Sequence, residues 1–439
     1  MTLGVVLAAL GAALAGCDAP GSITGDPAAS VTITPSSLPR LLVGDTVQLA
    51  AIALDDHGRQ TSATITWATS QPGVATISAT GLLIVAGNGP LTVTASAGAA
   101  SRSLSTTVAD PLPTERFAFA LANQPTAASY GPDPDLSYNG FANGPPGIQV
   151  TRSGTGSYRV TFRGLGLGGL TEVVLTSSFG TIGIKCAPDR WGRLSNARDL
   201  DALVLCTTAA GLPADSRFTI LVVGQGSIPG LLAFSRVNAT APAGGAATGA
   251  AWSSAGVVSA TNLGVGRTDL KLGLPIQVTD NVNTFVTVHG STPATCRSLG
   301  RNTADVLSVR CTSPDGSDTN ADFAALAISE GRPNRRFAMA YNDQGFLATW
   351  TLHPTYQKTS NGMAVLGHRH GPGSYSIVFS GWGDIGPETF IVSAFVEAAF
   401  CTTVSVYQVV GSTDQNIDVT CYASDGTPVD SRFTILVLE

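Results

Sequence analysis

One heptapeptide occurs twice in this chain: Ser216-Arg217-Phe218-Thr219-Ile220-Leu221-Val222 returns unchanged as Ser431 to Val437. Other segments recur in the same order around it. Arg116-Phe117-Ala118-Phe119-Ala120 becomes Arg336-Phe337-Ala338-Met339-Ala340, and Gly156-Ser157-Tyr158-Arg159-Val160-Thr161-Phe162 becomes Gly373-Ser374-Tyr375-Ser376-Ile377-Val378-Phe379. A more divergent copy lies between them, because Cys206, Cys311 and Cys421 each stand twelve residues before a Phe, at Phe218, Phe323 and Phe433. Gly211, Gly316 and Gly426 each stand seven before the same Phe. Such periodicity means one structural unit used three times, here at 111–225, 230–332 and 334–439, each of about 105 residues. The repeat leaves open whether the units pack together or hang as beads.

The cysteines follow the same period. Six of the seven fall as Cys186/Cys206, Cys296/Cys311 and Cys401/Cys421, one pair per unit. No CxxC spacing points to a metal, and proximity with repetition predicts one disulfide inside each unit. With 50 Gly, 25 Pro and only 12% charged residues, the composition suits short strands joined by many turns and argues against a helical protein. The expected fold class is all-β. The net charge of −6 comes with no dense run of Lys or Arg, so nucleic acid is not an expected partner. Only three Lys stand against 21 Arg, a bias that fits a GC-rich genome better than a binding surface.

The seventh cysteine is different. Leu3 to Gly16 is a run of Leu, Val, Ala and Gly, too short for a membrane span of about 20 residues and of the length of a signal-peptide core. It closes in Leu14-Ala15-Gly16-Cys17, which resembles the lipobox of bacterial lipoproteins. That resemblance implies a signal peptide over 1–17, lipidation of Cys17, a membrane partner through the anchor, and export to the cell envelope. The outer membrane or cell surface is the expected destination rather than the inner membrane. Residues 18–30, rich in Gly, Pro, Ala and Ser, read as a flexible tether.

From Val31 to Ala109 the apolar residues alternate in short runs bounded by Gly, Pro or Asp, as half-buried antiparallel strands do. Thr34-Pro35, Val43-Gly44-Asp45-Thr46-Val47-Gln48-Leu49, Trp67 followed by Ser70 and Pro72, Val74-Ala75-Thr76-Ile77-Ser78, Gly81-Leu82 and Val93-Thr94-Ala95 succeed one another here. In that order they resemble the bacterial immunoglobulin-like domain, group 2. The resemblance implies a β-sandwich over 31–109 with Trp67 in its core and Gly44, Asp45 and Gly81 at turns. The expected architecture is thus an Ig-like β-sandwich followed by three β-rich repeats with one disulfide each.

Candidate sites are few. Gly164-Leu165-Gly166-Leu167-Gly168-Gly169 satisfies GxGxxG, but the residues after it, Thr171 to Thr176, read as a strand where a dinucleotide site needs a helix. His368-Arg369-His370 puts two imidazoles on one face of an extended segment, a geometry able to hold a metal, but no third ligand stands out and Gly367 and Gly371 suggest an exposed turn. Asp133-Pro134-Asp135 and Asp315-Gly316-Ser317-Asp318 offer oxygen ligands but lack the EF-hand order; Asp is also a common turn residue. Asp215, Asn320 and Asp430 share one repeat position, three before the Phe, and are expected to cap a turn through their own backbone. His57, His289 and His353 read as isolated surface or loop residues. Trp191, Trp252, Trp350 and Trp382 occupy unmatched repeat positions and read as packing residues rather than a sugar platform. Neither G-x-S-x-G nor H-E-x-x-H occurs. No catalytic residue, cofactor or metal is expected. The functional expectation is a lipid-anchored envelope or surface protein with a structural, adhesive or ligand-presenting role. The alternatives are a glycan-binding module or accessory protein of a polysaccharide system, with a glycan or protein ligand, and a divergent secreted hydrolase.

Overall fold

The computed structural model describes residues 27–109, 116–141, 147–166, 171–180, 183–194, 198–239, 242–246, 248–276, 281–303, 305–331, 335–383 and 387–439. Cys17 and residues 18–26 lie outside them. The chain divides between Asp110 and Pro111 into two compact units.

The first unit is a β-sandwich of short strands. Thr66–Thr69, Gly89–Ala97 and Ala100–Val108 form one antiparallel sheet, Thr46–Gln48, Leu82–Val85 and Ala75–Ile77 another, and Ser30–Thr34 pairs with Ala50–Leu54. Strand periodicity of two decides which side chains meet. Leu91, Val93, Ala95 and Ala97 enter the core with Val31, Ile33, Leu49, Leu83 and Val108. On the opposite face Thr92 and Thr94 hydrogen-bond Ser105 and Ser103 at 3.0 and 2.8 Å. Trp67 is half-buried and packs against this core. Gly81 lies beneath it with φ +83°, and a Cβ there would stand 2.3 Å from the Leu49 carbonyl oxygen.

In the second unit each repeat is a two-sheet sandwich of its own. The front sheets run Ser137–Asn139, Phe117–Ala122, Arg217–Gly224, Glu172–Phe179 in the first repeat; Thr248–Ser253, Leu232–Val237, Phe323–Ile328, Asn283–Val288 in the second; and Lys358–Thr359, Phe337–Asn342, Arg432–Leu438, Thr389–Phe395 in the third. The back sheets end in a disulfide hairpin: Ile184–Arg193 with Leu200–Thr208, Thr295–Thr303 with Val306–Thr312, and Ala399–Gln408 with Gln415–Ala423. Cys186–Cys206, Cys296–Cys311 and Cys401–Cys421 are directly opposed cross-strand pairs with S–S distances of 2.07, 2.05 and 2.04 Å.

The three sandwiches close into a ring, which the repeat pattern left undecided. The last strand of each front sheet meets the last back strand of the next repeat, and the same backbone hydrogen bond marks each meeting. Gly180 N–H donates to Thr403 at 2.8 Å, Val396 N–H to Ser298 at 2.7 Å and Gly290 N–H to Pro188 at 3.0 Å. Thr403, Ser298 and Pro188 each stand two residues after their cysteine, so the contacts are equivalent. The ring therefore runs from the first repeat to the third, to the second and back to the first. Its axis is marked by three equivalent side chains: Lys185 Nζ lies 3.3 Å from Thr295 Oγ1 and 5.5 Å from the centre of the Phe400 ring. A small cavity of about 70 Å³ remains there.

Ring closure explains the run of apolar residues in the front strands. Phe117–Ala122 and Phe323–Ile328 are buried at every position, as strands covered on both faces are. Two buried threonines of these sheets bind across junctions: Thr219 Oγ1 donates to Phe390 O at 2.7 Å and Thr434 Oγ1 to Thr284 O at 3.0 Å. The divergent repeat holds Ala324 at this position, opposite Thr287 as Thr219 is opposite Ser177.

Each junction donor needs a left-handed backbone: φ is +69° at Gly180, +95° at Gly290 and +68° at Val396. A β-branched residue there is strained by about 1–2 kcal/mol. Val396→Gly is expected to raise stability by about 1 kcal/mol, after the glycine's greater freedom in the unfolded chain is offset. Urea unfolding of the two proteins measures this, and a lower midpoint for the variant contradicts it. Because each sandwich is bonded to both others, residues 116–439 are further expected to melt in one calorimetric transition; three resolved transitions would contradict the ring.

Candidate functional site

The repeat position shared by Asp215, Asn320 and Asp430 holds a hairpin rather than its own turn. Asp215 accepts from Gly156 N–H at 2.8 Å and from Arg152 Nε and Nη2 at 3.0 and 2.8 Å, with the Tyr158 hydroxyl 2.9 Å away. Asp430 repeats this with Gly373 N–H at 2.8 Å, Arg369 at 2.9 and 2.8 Å and Tyr375 at 3.2 Å. Each tyrosine oxygen also accepts the N–H of the following serine, Ser216 or Ser431. The expectation of a local backbone cap is thus corrected. The carboxylate reaches instead across the sandwich to a donor set that only tertiary pairing assembles. Glycine is required at the hairpin: φ is +65° at Gly156, and a Cβ would lie 2.4 Å from the Cys206 carbonyl oxygen. In the middle repeat the set turns neutral together. Asn320 bonds Gly266 N–H at 2.9 Å, and Asn262 and Thr268 stand where Arg and Tyr stand elsewhere.

Arg152 is the main reason the Asp215 carboxyl falls to about 2, with the Gly156 N–H and Tyr158 hydroxyl adding to it; Arg369 likewise lowers Asp430. Burial drives Tyr158 and Tyr375 upward. These are structural clamps.

The other candidates also resolve into structure. Asp133 caps the 3-10 turn Pro134–Leu136, accepting from Asp135 N–H at 3.0 Å. Asp315 accepts from Ser317 N–H at 3.0 Å and from the Ser313 and Ser317 hydroxyls, which hold its carboxyl at about 2. Asp318 is paired with Arg310 at 2.6 Å. His368 and His370 lie on the strand Val365–Gly371, extended as read but not the exposed turn that the flanking glycines suggested, because the segment pairs with Ser374–Phe379 and Arg369 between them is held by Asp430. His370 Nε2 is 2.7 Å from Ser376 Oγ. His353 caps a second 3-10 turn, Pro354–Tyr356. His289 follows the strand Asn283–Val288 in a half-buried loop position, where its ring packs edge-on against Trp191 at 4.8 Å and burial lowers its pKa. Trp191, Trp350 and Trp382 are buried, while Trp252 packs beside Phe234 at 5.9 Å. Gly164 and Gly166 precede the strand Glu172–Phe179, and residues 167–170 of that motif lie outside the described residues. Gly44 has φ +88°, and Asp45 accepts the Leu42 N–H at 2.9 Å.

Among the described residues one group of three potential metal ligands occurs, Asp55, Asp56 and His57. Asp55 is already occupied by the N–H groups of His57 and Arg59 and by Arg59 Nε, at 2.8 to 3.0 Å, so the cluster reads as a turn. No helix among the described residues is long and apolar enough to cross a membrane.

Sequence reading missed the clefts at the three ring junctions. Arg301, Val406 and Trp191 are equivalent, five residues after their cysteines, and each lines one cleft. Between repeats one and two the cleft measures about 250 Å³, and Trp191 carries Arg236 over its ring at 5.2 Å. Between repeats one and three it measures about 280 Å³ and is lined by Leu121, Leu136 and Val406 together with Phe179, Phe390, Arg217 and Glu388. Between repeats two and three it reaches about 410 Å³, with Tyr341, Tyr356 and Phe395 on its wall. The signal that could have found it was the recurrence of Phe179 as Phe395, beside which the other positions vary.

Residues 27–108 match the family model of the bacterial Ig-like domain, group 2. The first unit is that domain. No curated protein matches the chain. Among solved structures, domains 4 and 5 of the S-layer protein SbsC are 14% identical, covering 44% of this chain and 92% of that one, with a TM-score of 0.19. A larger SbsC structure, domains 1–6, is 12% identical over 66% of this chain and 37% of that one, with a TM-score of 0.20.

Asp215→Asn removes the charge of the clamp and is expected to cost about 2 kcal/mol at neutral pH. The pH dependence tests its sign. Asp215 is lowered from 3.8 to about 2, so its contribution is complete above about pH 4 and disappears as pH falls toward 2. Unfolding midpoints across that window should fall less steeply for the variant than for the parent, and equal slopes would contradict the clamp.

Proposed function

We propose that this protein is a non-catalytic architectural and ligand-presenting component of the bacterial cell envelope, anchored through lipid on Cys17. The observation that carries the reading is the closed ring in which every repeat is stapled by its own cross-strand disulfide. Disulfides of this kind persist in oxidising compartments outside the cytoplasm, and closing loops of this length stabilises each unit by about 3 kcal/mol. The Ig-like domain supports the same reading, since such domains serve widely as spacers and presentation modules on bacterial surfaces. The conspicuous polar groups of the sandwiches are spent on clamps and turns, and three copies of one scaffold suit a binding or structural surface better than a singular active site.

Two measurements test it together. Metabolic labelling with palmitate should mark the parent and not Cys17→Ser, and protease shaving of intact cells should release peptides from residues 116–439 while a periplasmic control stays whole. A soluble, unlabelled protein would remove the anchor. Protection until the outer barrier is broken would move the role from the surface to the interior of the envelope.

A further inference from the structure

We propose that the cleft between the second and third repeats is a carbohydrate site that takes a disaccharide-sized stretch of glycan. Its volume of about 410 Å³ lies in the range of small-ligand sites, roughly 300–1,000 Å³. The chemistry of its walls is divided. Tyr341 and Phe395 lie with ring centres 4.6 Å apart, and Tyr341 and Tyr356 at 6.1 Å, so three half-buried rings form one aromatic side. Arg301, Asn302 and Thr303 supply the polar side, and exposed Asn302 and Thr303 mark the mouth. A pyranose has the matching division, an apolar face of C–H groups and a rim of hydroxyls. Aromatic rings take the first; planar amide and guanidinium groups bond the second.

The two sister clefts differ from it at the equivalent positions, and in the cleft between repeats one and three Arg217 is held over the Phe179 ring at 5.4 Å. Where this cleft has Arg301, one sister has Trp191, which packs with Arg236 and His289 into a stack of the protein's own groups. Where it has Tyr341 and Tyr356, the other has Leu121 and Leu136. The backbone gives a second, independent sign. Val396, the one left-handed non-glycine residue among the described residues, directly follows Phe395, and the equivalent positions in the sister junctions are glycine. Strain of this kind collects at functional sites, and here it sits beside the ring that lines the cleft.

This inference adds a ligand to the envelope reading, and its test is made on purified protein, so failure of either leaves the other standing. The full chain is titrated with cellobiose, chitobiose, maltose and lactose while saturation transfer to the sugar is followed by NMR. Concentrations reach about 10 mM, enough to fill a site with a Kd of about 1 mM. At least one disaccharide is expected to bind. Tyr356→Leu and Arg301→Trp import residues that the sister clefts already hold, and each should weaken binding at least tenfold by removing a stacking ring or filling the cleft. Leu136→Ala, in the sister cleft, should leave it unchanged. Circular dichroism confirms the fold of each variant, and if one fails to fold the other decides. Absence of binding by all four sugars overturns the proposal, as does binding that survives in the folded variants.

Discussion

The edge of a β-sheet is the constraint on which the larger unit depends. A sandwich of this size leaves unpaired N–H and C=O groups along its last strands, and such edges either pair or invite association. In this chain three edges pair with one another. The bonds from Gly180 to Thr403, Val396 to Ser298 and Gly290 to Pro188 are few, yet they bring each front sheet against the next repeat's disulfide hairpin. Once the ring closes, the front strands are covered on both faces, which is why Phe117–Ala122 and Phe323–Ile328 carry no polar face. The Thr219 and Thr434 hydroxyls then become junction bonds in an otherwise apolar layer.

Within each repeat the hairpin geometry is held by two independent devices. The disulfide fixes the last two back strands, and the Asp or Asn at the shared repeat position fixes the glycine turn on the same sheet. They converge on one place, because Cys206, Cys311 and Cys421 N–H groups donate to Gly156, Gly266 and Gly373 at 2.7, 2.8 and 2.8 Å. The middle repeat has exchanged Asp, Arg and Tyr for Asn320, Asn262 and Thr268 as a set. That joint exchange follows from electrostatics: a half-buried carboxylate without its guanidinium would be left uncompensated, whereas an amide needs only the glycine N–H. Divergence between copies has thus spared the framework and altered the junction clefts, where a change of side chain alters chemistry without breaking a strand.

Much of this was legible in the residues. Period-two alternation identified the strands of the Ig-like domain, and the fixed interval from cysteine to phenylalanine located the repeats and their disulfides. Gly156 and Gly373 were visible as recurring residues, but not their partners, because Asp215 lies 59 positions from Gly156. The partner of His289 was hidden for a related reason. The histidine ring meets Trp191, on a strand of another repeat.

The sequence by itself determined the all-β class, the threefold repetition and the pairing of the cysteines, since each is a local or periodic property written at short range. Only the tertiary structure decided that the repeats form a ring, which edges meet, and that the roomiest of the three junction clefts lies between the second and third. Those outcomes depend on register between strands more than a hundred residues apart, as at Phe179 opposite Thr403. No local pattern encodes such a register, because it is selected by the joint burial of three sheets at once.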